Sequence, residues 1–360
     1  MAERRYEYAP AGTLPGLLQR GRGLGARMAA EDPEAAAELV YGCIRWEWRW
    51  DRQVDDRHLY LARLIRDLEL PLGPVVELLA DEDEDTRDRA TGVLELLVQG
   101  GSEQAGAALP GYVPDEEDPA PRRRQRPPDP CPDRDNASLL DQLRDPAASE
   151  GAKGAALCAL SRRRVPEPAL IPLVPALGAA DGTRQLPYLN RALEPLAERA
   201  VPAAREWAVS GQEWLVWLGT GVLAAHGDES DVPLLLAELE RHWVDESWCG
   251  PDGLARGLAR FGPGAGGAVS LLRRFWLYTP HSYERAAYLE ALAAMGSAGM
   301  DQAFTESLWD CESGARLSGV EHAPERPEVG ARLRYLRDDP MEEREVREAA
   351  GRRLAEGWAG

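Results

Sequence analysis

Hydrophobic residues recur along this chain with the spacing of an α-helix. In DEDEDTRDRATGVLELL, residues 81–97, Arg87 is followed by small or apolar residues three, seven and ten positions later. Those residues are Ala90, Leu94 and Leu97. Such intervals place side chains on one face of a helix, because the helix turns once every 3.6 residues. No segment shows a sustained alternation of β-branched and polar residues, so strands are expected to be few or absent.

The same pattern returns in three further segments, each opened by acidic residues or proline. The basic anchors of the four segments are Arg87, Lys153, Arg285 and Arg347, and they are 66, 132 and 62 positions apart. These intervals are close to two, four and two units of 31–33 residues. Between the helices that begin at these basic residues, the sequence predicts shorter apolar helices in VPAAREWAV, DVPLLLAELERHW, GGAVSLLRRFW and GMDQAFTESLW. This period is typical of a repeat protein, in which each helix pair buries its apolar face against adjacent pairs.

The clearest copy of the repeat is DDPMEEREVREAAGRRLAEG, residues 338–357. It contains acidic residues and proline, arginine at the helix start, alanine three positions on, leucine seven on, and then glycine. This pattern resembles the HEAT-like repeat, including the variety found in phycobilisome lyases, over residues 75–360. The resemblance implies an all-α fold, an α-solenoid of stacked antiparallel helix pairs that forms a HEAT-like superhelix. It implies no particular activity, because one fold can serve many functions.

Residues 114–138 interrupt the repeats with a change in composition. Seven prolines and twelve charged residues fall within these 25 positions. The segment therefore has too few apolar side chains to bury, and their burial cannot offset the entropy cost of ordering it. The sequence therefore predicts a disordered, proline-rich charged linker at 114–138, with a docking or regulatory segment as the alternative. Residues 1–113 are then an N-terminal helical cap with the first repeat units, and residues 139–360 are the repeat array.

The charge of the chain restricts the class of partner. Its net charge is −19, and residues 1–113, 114–138 and 139–360 contribute −8, −2 and −9. A polyanionic surface repels nucleic acid and anionic membranes within a Debye length. We therefore expect a protein or peptide partner of basic character, and neither nucleic acid nor a membrane.

Arginine usage and cysteine spacing indicate the setting of the protein. Of the 42 basic residues, Lys153 is the one lysine, which we interpret as the coding bias of a GC-rich bacterial genome. The five cysteines are far apart in sequence, as in reduced cytoplasmic proteins. The first residues have no apolar core of a signal peptide, and no apolar run of 18 residues occurs, so a cytoplasmic location is expected.

The most unusual local motif is CIRWEWRWDRQ, residues 43–53, in which tryptophans alternate with charged residues. On a helix Trp46 and Trp50 would share a face, since they are four positions apart. Tryptophans of this kind wedge helices together, form hot spots for a protein partner, or stack on nucleic acid. We take Trp46, Arg49, Trp50 and Arg52 as candidate binding residues.

Three further tryptophans recur at about one repeat length. Trp207, Trp243 and Trp276 lie 36 and 33 positions apart, within three of the predicted second helices. They mark either a repeated core position or a ladder along one wall of the solenoid. We include them as candidate binding residues on the second interpretation.

No constellation of residues indicates catalysis, a cofactor or a metal. Asp81 to Asp85 imitates the first half of a calcium-binding loop, but that loop requires glycine at position 6 and glutamate at position 12. The chain has Thr86 and Gly92 there, so an acidic helix start is the better interpretation. The five histidines show no zinc-ligand spacing.

The sequence thus predicts a non-catalytic scaffold or adaptor that binds a partner protein or peptide on the concave face of a solenoid. The alternative is a DNA-repair enzyme like the HEAT-like alkylpurine DNA glycosylases. That activity would need a basic groove and a carboxylate beside tryptophan, such as Glu213 or Asp310. A chromophore chaperone similar to bilin lyases is a third possibility, suggested by the repeat type. The oligomeric state stays open.

Overall fold

The part of the protein that the structure describes is built from helices joined by turns and loops. The computed structural model describes residues 7–113, 129–163 and 165–357. Within these ranges no strand forms, and β pairing is limited to one antiparallel bridge between Gly178 and Gln185. The predicted all-α class is confirmed. Across the same described ranges, no helix combines the length and apolarity needed to cross a bilayer.

Twenty α-helices follow one another in the described ranges. They are α1 (Leu14–Gln19), α2 (Gly23–Glu31), α3 (Pro33–Arg45), α4 (His58–Asp67), α5 (Gly73–Glu77), α6 (Glu84–Gln99), α7 (Glu103–Ala108), α8 (Asn136–Arg144), α9 (Glu150–Leu160), α10 (Leu189–Leu193), α11 (Ala197–Trp207), α12 (Glu213–His226), α13 (Val232–Val244), α14 (Pro251–Ala259), α15 (Val269–Tyr278), α16 (Arg285–Ala294), α17 (Met300–Ser307), α18 (Ser313–His322), α19 (Pro327–Asp338) and α20 (Arg344–Ala355). Short 3₁₀ segments span Leu78–Ala80, Pro168–Ala176, Glu194–Leu196, Glu229–Asp231, Gly262–Ala268 and Ser282–Glu284.

The helices group into two compact units. The first unit combines Met1–Asp118 with Val269–Gly360, and the second is the intervening stretch Pro119–Ala268. Helices α15 to α20 thus group with the N-terminal helices, and the division into a cap, a linker and a repeat array stays a prediction. Most of the predicted linker lies outside the described residues, and its last three positions begin α8.

The helix starts follow from local sequence. Asp83 caps α6 by accepting a hydrogen bond from the backbone N–H of Thr86, and Glu84 and Asp85 occupy the first turn. Acidic side chains are favourable there because the first N–H groups of a helix have no intrahelical acceptor. The prediction that Asp81 to Asp85 opens a helix is confirmed. The face of α6 that carries Ala90, Leu94 and Leu97, predicted from their spacing, is buried.

Helix pairs recur within each unit. In the second unit α11 packs on α12, and α12 contacts α14; in the first unit α16 contacts α18, and α18 contacts α20. In each of these two series, an even-numbered helix contacts the next even-numbered helix of the same unit. Glycines permit the close approach: a Cβ at Gly257 would lie 2.5 Å from the Cβ of Ala224, across the contact of α14 with α12.

The first unit is joined across its two stretches of sequence by backbone contact and by buried charge. The N–H of Cys311 donates to the carbonyl of Gly21 at 2.9 Å. Arg63 on α4 forms ion pairs with Asp339 at 2.7 Å and Glu342 at 3.0 Å, and all three side chains are at most 7% exposed. The N-terminal and C-terminal helices of this unit therefore share one core.

Candidate functional site

The tryptophan-rich motif lies on a loop of the first unit. Helix α3 ends at Arg45, and Trp46 already has extended backbone angles, φ −112° and ψ 142°. The next helix begins at His58. The expectation that Trp46 and Trp50 share the face of a helix is therefore wrong. Residues 46–57 instead form an irregular loop between α3 and α4.

Hydrogen bonds fix this loop to the body of the unit. The hydroxyl of Tyr8 donates to the carbonyl of Trp48 at 2.5 Å, and the two rings are 5.4 Å apart. The buried carboxylate of Asp55 accepts from the hydroxyl of Ser282 at 2.7 Å and from the N–H of Tyr283 at 3.1 Å. It also hydrogen-bonds Nδ1 of His281 at 2.9 Å. The loop is therefore held at both of its ends.

The acidic start of α6 lies beside the loop. Side chains of α6 cap the last carbonyls of α3: Arg89 donates to Ile44 at 2.8 Å and to Arg45 at 2.9 Å. The hydroxyl of Thr86 donates to the same carbonyl of Arg45 at 3.2 Å. Because Arg45 immediately precedes Trp46, these bonds place the first turn of α6 next to that tryptophan.

The arginines of the loop are neutralised by neighbouring carboxylates. Arg49 donates from Nη2 to Oε2 of Glu47 at 2.6 Å, and Arg52 pairs with Asp85 on α6 at 2.5 Å. Burial raises the pKa of Glu47, but the hydrogen bonds from Arg49 outweigh it and hold that pKa at about 2. Arg49 and Arg52 thus each pair with a carboxylate of the same unit, Arg49 at a largely buried position and Arg52 at the surface.

We define the Trp46 surface as residues 45–58 together with residues 81–89. It carries ten carboxylates against six guanidinium groups, so its net charge is negative. Trp46 is 45% exposed and Val54 is 44% exposed, while Trp50 is half-buried. The arrangement is an exposed aromatic and aliphatic patch with an acidic border, on a loop that hydrogen bonds hold at Trp48 and Asp55.

The chain matches no protein-family model and no curated protein. A function is therefore inferred from its geometry. The Trp46 surface is the exposed part of the predicted site, and it brings Trp46, Arg49, Trp50 and Arg52 together on one loop.

The other three candidate tryptophans, Trp207, Trp243 and Trp276, do not belong to the Trp46 surface. Trp207 is 3% exposed at the end of α11, so it packs in the core of the second unit. Trp243, in the same unit, meets Trp248 edge to face with ring centroids 5.7 Å apart. Trp276 belongs to the first unit, where the guanidinium of Arg22 lies 4.3 Å from its ring centroid.

The two carboxylates considered for a glycosylase have other partners. Asp310 is 3% exposed and accepts from Nη2 of Arg285 at 2.7 Å. Glu213 is exposed, and its carboxylate lies 3.3 Å from Nη1 of Arg241. Within the described part of the chain, no group of three or more metal-ligating side chains has the geometry to hold an ion.

Sequence reasoning missed the contribution of α6 to this site. The sequence indicates only a helix start at Asp81 to Asp85, although Asp85 pairs with Arg52, 33 positions earlier. Alternating tryptophan and arginine gave a local signal for the loop. No local signal could indicate which acidic segment would lie against it.

Proposed function

We propose that this protein is a non-catalytic binding scaffold that recognises a basic segment of a partner protein at the Trp46 surface. The observation that carries the proposal is the 45% exposure of Trp46 on a loop fixed beside the acidic start of α6. We further propose that its helix pairs form a HEAT-like superhelix and that it works in the cytoplasm. The contacts between alternate helices support the first point, and the buried thiols of Cys43 and Cys311 support the second.

The chemistry of the surface favours a cationic ligand. A lysine or arginine placed over an indole ring is attracted to its negative face, by about 0.5–2 kcal/mol. Exposed carboxylates at Asp56, Glu82 and Glu84 add a field that accelerates the approach of a basic partner. Arg49 and Arg52 already pair with Glu47 and Asp85. They therefore compete little with a cationic ligand for the other carboxylates of the surface.

The hydrogen bonds that hold the loop at Trp48 and Asp55 favour binding as well. Ordering a flexible loop on binding costs free energy, and a loop already held by hydrogen bonds avoids most of that cost. Tryptophan is also the residue most enriched among interface hot spots. The Trp46 surface combines the two properties.

Titration of the full chain with labelled peptides tests the proposal. We expect a lysine- and arginine-rich peptide to bind with an affinity that falls as salt rises, while a glutamate-rich peptide of equal length does not bind. Trp46→Ala should weaken binding at least about tenfold. Trp217→Ala is the matched control, because Trp217 is 43% exposed but lies in the second unit.

The proposal fails if both substitutions weaken binding equally, or if the acidic peptide binds as well as the basic one. Duplex DNA is titrated separately into the full chain, without peptide, as a third ligand. Salt-sensitive DNA binding that exceeds peptide binding would favour the DNA-repair alternative instead.

A further inference from the structure

The first unit contains a largely apolar cavity that shares no residue with the Trp46 surface. It has a volume of about 380 Å³ and lies between α1 and α2 on one side and α15, α16 and α17 on the other. Its apolar walls include Leu17, Leu24, Trp276, Leu292 and Met300. Leu17 and Leu292 are buried and Leu24 is 39% exposed, so these walls run from the core to the surface. Small-molecule sites have roughly this size, about 300–1,000 Å³.

Among the described residues that line the cavity three are charged, and two of them neutralise each other. The three are Arg22, Arg273 and Glu306. Nε of Arg22 donates to Oε1 of Glu306 at 2.8 Å, and the two side chains are 1% and 12% exposed. Nη1 of Arg22 donates to the carbonyls of Trp276 and Leu277. The lining therefore has one net positive charge, which belongs to Arg273.

Arg273 has hydrogen-bond donors that the protein does not use. Its side chain is half-buried, and Nη2 donates to Oγ of Ser297 at 2.7 Å and to the carbonyl of Ala298. Among the residues that the structure describes, no group accepts from Nε or Nη1, and no carboxylate pairs with the guanidinium. Neither nitrogen is enclosed by protein atoms. Both donors therefore remain accessible to a ligand.

The two ends of the cavity differ in charge. The guanidinium of Arg273 is fixed beside the residues that precede α17, whereas Glu306 lies near the end of that helix, against Arg22. Met300 and Glu306 are about 9 Å apart along the axis, since a helix rises by about 1.5 Å per residue. A body of one or two rings spans that distance along the wall that contains Trp276.

We infer that this cavity binds a small molecule that has an aromatic body and a carboxylate head. The head would accept a charge-assisted hydrogen bond from Arg273, and the exposed side-chain amide of Gln302, which also lines the cavity, would donate a second one. The rings would pack against the indole of Trp276 and the thioether of Met300. A neutral head would lack the charge-assisted bond, and an ammonium head would be repelled by Arg273.

The acidity of the chain as a whole does not exclude an anionic ligand at this position. Charges further away than about 8 Å are largely screened at physiological salt, so the nearest groups dominate. The charged groups in the described lining sum to one positive charge. The carboxylate among them, Glu306, is already paired with Arg22.

Three probes with one aromatic body test the head group. Indole-3-acetate, indole-3-acetamide and tryptamine are titrated separately into the full chain, with binding measured by calorimetry and by ligand-observed NMR. We expect the acid to bind with a Kd below about 1 mM and at least about tenfold tighter than the amide or the amine. Equal affinities, tighter binding of the amide or the amine, or no binding of the acid up to its solubility limit would overturn the inference.

Substitution of neighbouring arginines tests the role of Arg273. Arg273→Gln should weaken binding of the acid to within about threefold of the amide, and it should change the affinity for the amide by less than about threefold. Arg274→Gln is the matched control, because Arg274 is exposed and lies outside the lining. It removes the same charge from the chain and should leave the preference for the acid intact. Equal effects of the two substitutions would refute the pairing of the head with Arg273.

Two further substitutions locate the body of the ligand. Met300→Trp and, at the exposed rim, Leu24→Trp both reduce the space in the cavity, and each should weaken binding of the acid more than about tenfold. Val209→Trp is the control, because Val209 is 69% exposed and belongs to the second unit. Thermal unfolding establishes which variants are folded. Unchanged affinity in a folded Leu24→Trp variant would place the ligand elsewhere and refute the site.

A peptide probe separates a free ligand from a protein chain end. A short peptide that ends in tryptophan with a free carboxylate presents the same head and body on a polypeptide. If it binds at least about tenfold tighter than indole-3-acetate, the cavity is a docking site for a protein terminus and the small-molecule assignment is wrong. Failure of the Trp46 experiment would leave this result unaffected, because the two sites share no residue.

Discussion

At the scale of single residues, the first unit buries charge as well as apolar surface. Arg285 and Arg316 have fully buried side chains, and each has a carboxylate 2.7 Å away, Asp310 and Glu342 respectively. Nη1 of Arg316 also donates to the carbonyls of Asp310 and Cys311. A guanidinium can be buried only if its N–H groups find acceptors. The arginine excess, which composition attributes to coding bias, therefore includes side chains with a structural role.

Arg316→Met tests that role. The substitution leaves Glu342 without its closest partner and removes the hydrogen bonds to two carbonyls, so we expect the free energy of unfolding to fall by about 3–5 kcal/mol. Urea denaturation followed by circular dichroism measures it. Glu343→Gln is the control, since Glu343 is 59% exposed and 3.9 Å from Arg316, and it should change stability by less than about 0.5 kcal/mol. Similar values for the two variants would contradict a structural role of the buried pair.

Glu47 makes the stability of the loop depend on pH. Its folded pKa of about 2 lies below the ordinary value of 4.5, so its ionised form stabilises the fold above pH 4.5. That contribution is lost as the pH falls towards 2. Glu47→Gln should therefore be less stable than the wild type at pH 7 by about 1–2 kcal/mol, with a difference that shrinks below pH 4.5.

Urea denaturation from pH 7 to pH 3 measures this difference. Glu82→Gln, at an exposed position of the Trp46 surface, is the comparison. A gap between wild type and Glu47→Gln that stays constant over this range would show that the ion pairs of Glu47 do not set its pKa.

At the scale of helices, glycine allows α2 and α17 to touch. With an added Cβ 2.0 Å from a backbone oxygen, Gly23→Ala must push the two helices apart. We expect it to lower the free energy of unfolding by about 1–3 kcal/mol, despite the higher helix propensity of alanine. Gly12→Ala is the matched control, because nothing lies within 4 Å of its added Cβ. A stable Gly23→Ala variant, measured by thermal unfolding, would mean that the contact is looser than described.

At the scale of the whole molecule, the first unit is assembled from two stretches separated by the entire second unit. Arg63 and Asp339 pair across 276 positions, so neither stretch buries these charges alone. We expect the amides of α4 and α18 to exchange hydrogen through the same cooperative opening, with one free energy. Arg316→Met should lower that free energy while leaving the exchange of α12 unchanged.

Native-state hydrogen exchange in increasing denaturant, followed by mass spectrometry, tests this grouping. Glu343→Gln again serves as the control, because it should leave the exchange of α4 and α18 unaffected. If α4 opened independently of α18, the two stretches would not form one cooperative unit.

Much of the helical architecture could be predicted because its signals are local. The buried face of α6 follows from the spacing of Ala90, Leu94 and Leu97, and its start follows from the acidic residues that cap it. The Trp46 loop was predicted only in part. Its residues were identified, but its conformation was not, because the end of α3 depends on caps supplied by Thr86 and Arg89.

The sequence by itself determined the all-α class and the positions of most helices, since periodicity, caps and glycine turns act within a few residues. Tertiary structure alone decided which helices share a core and which arginines are buried. Asp55 and His281 meet across 226 positions, and no local pattern encodes such a contact. The contact forms only when both stretches have folded against each other. Only then are the two side chains buried, and a buried charged or polar group is stable only with a partner.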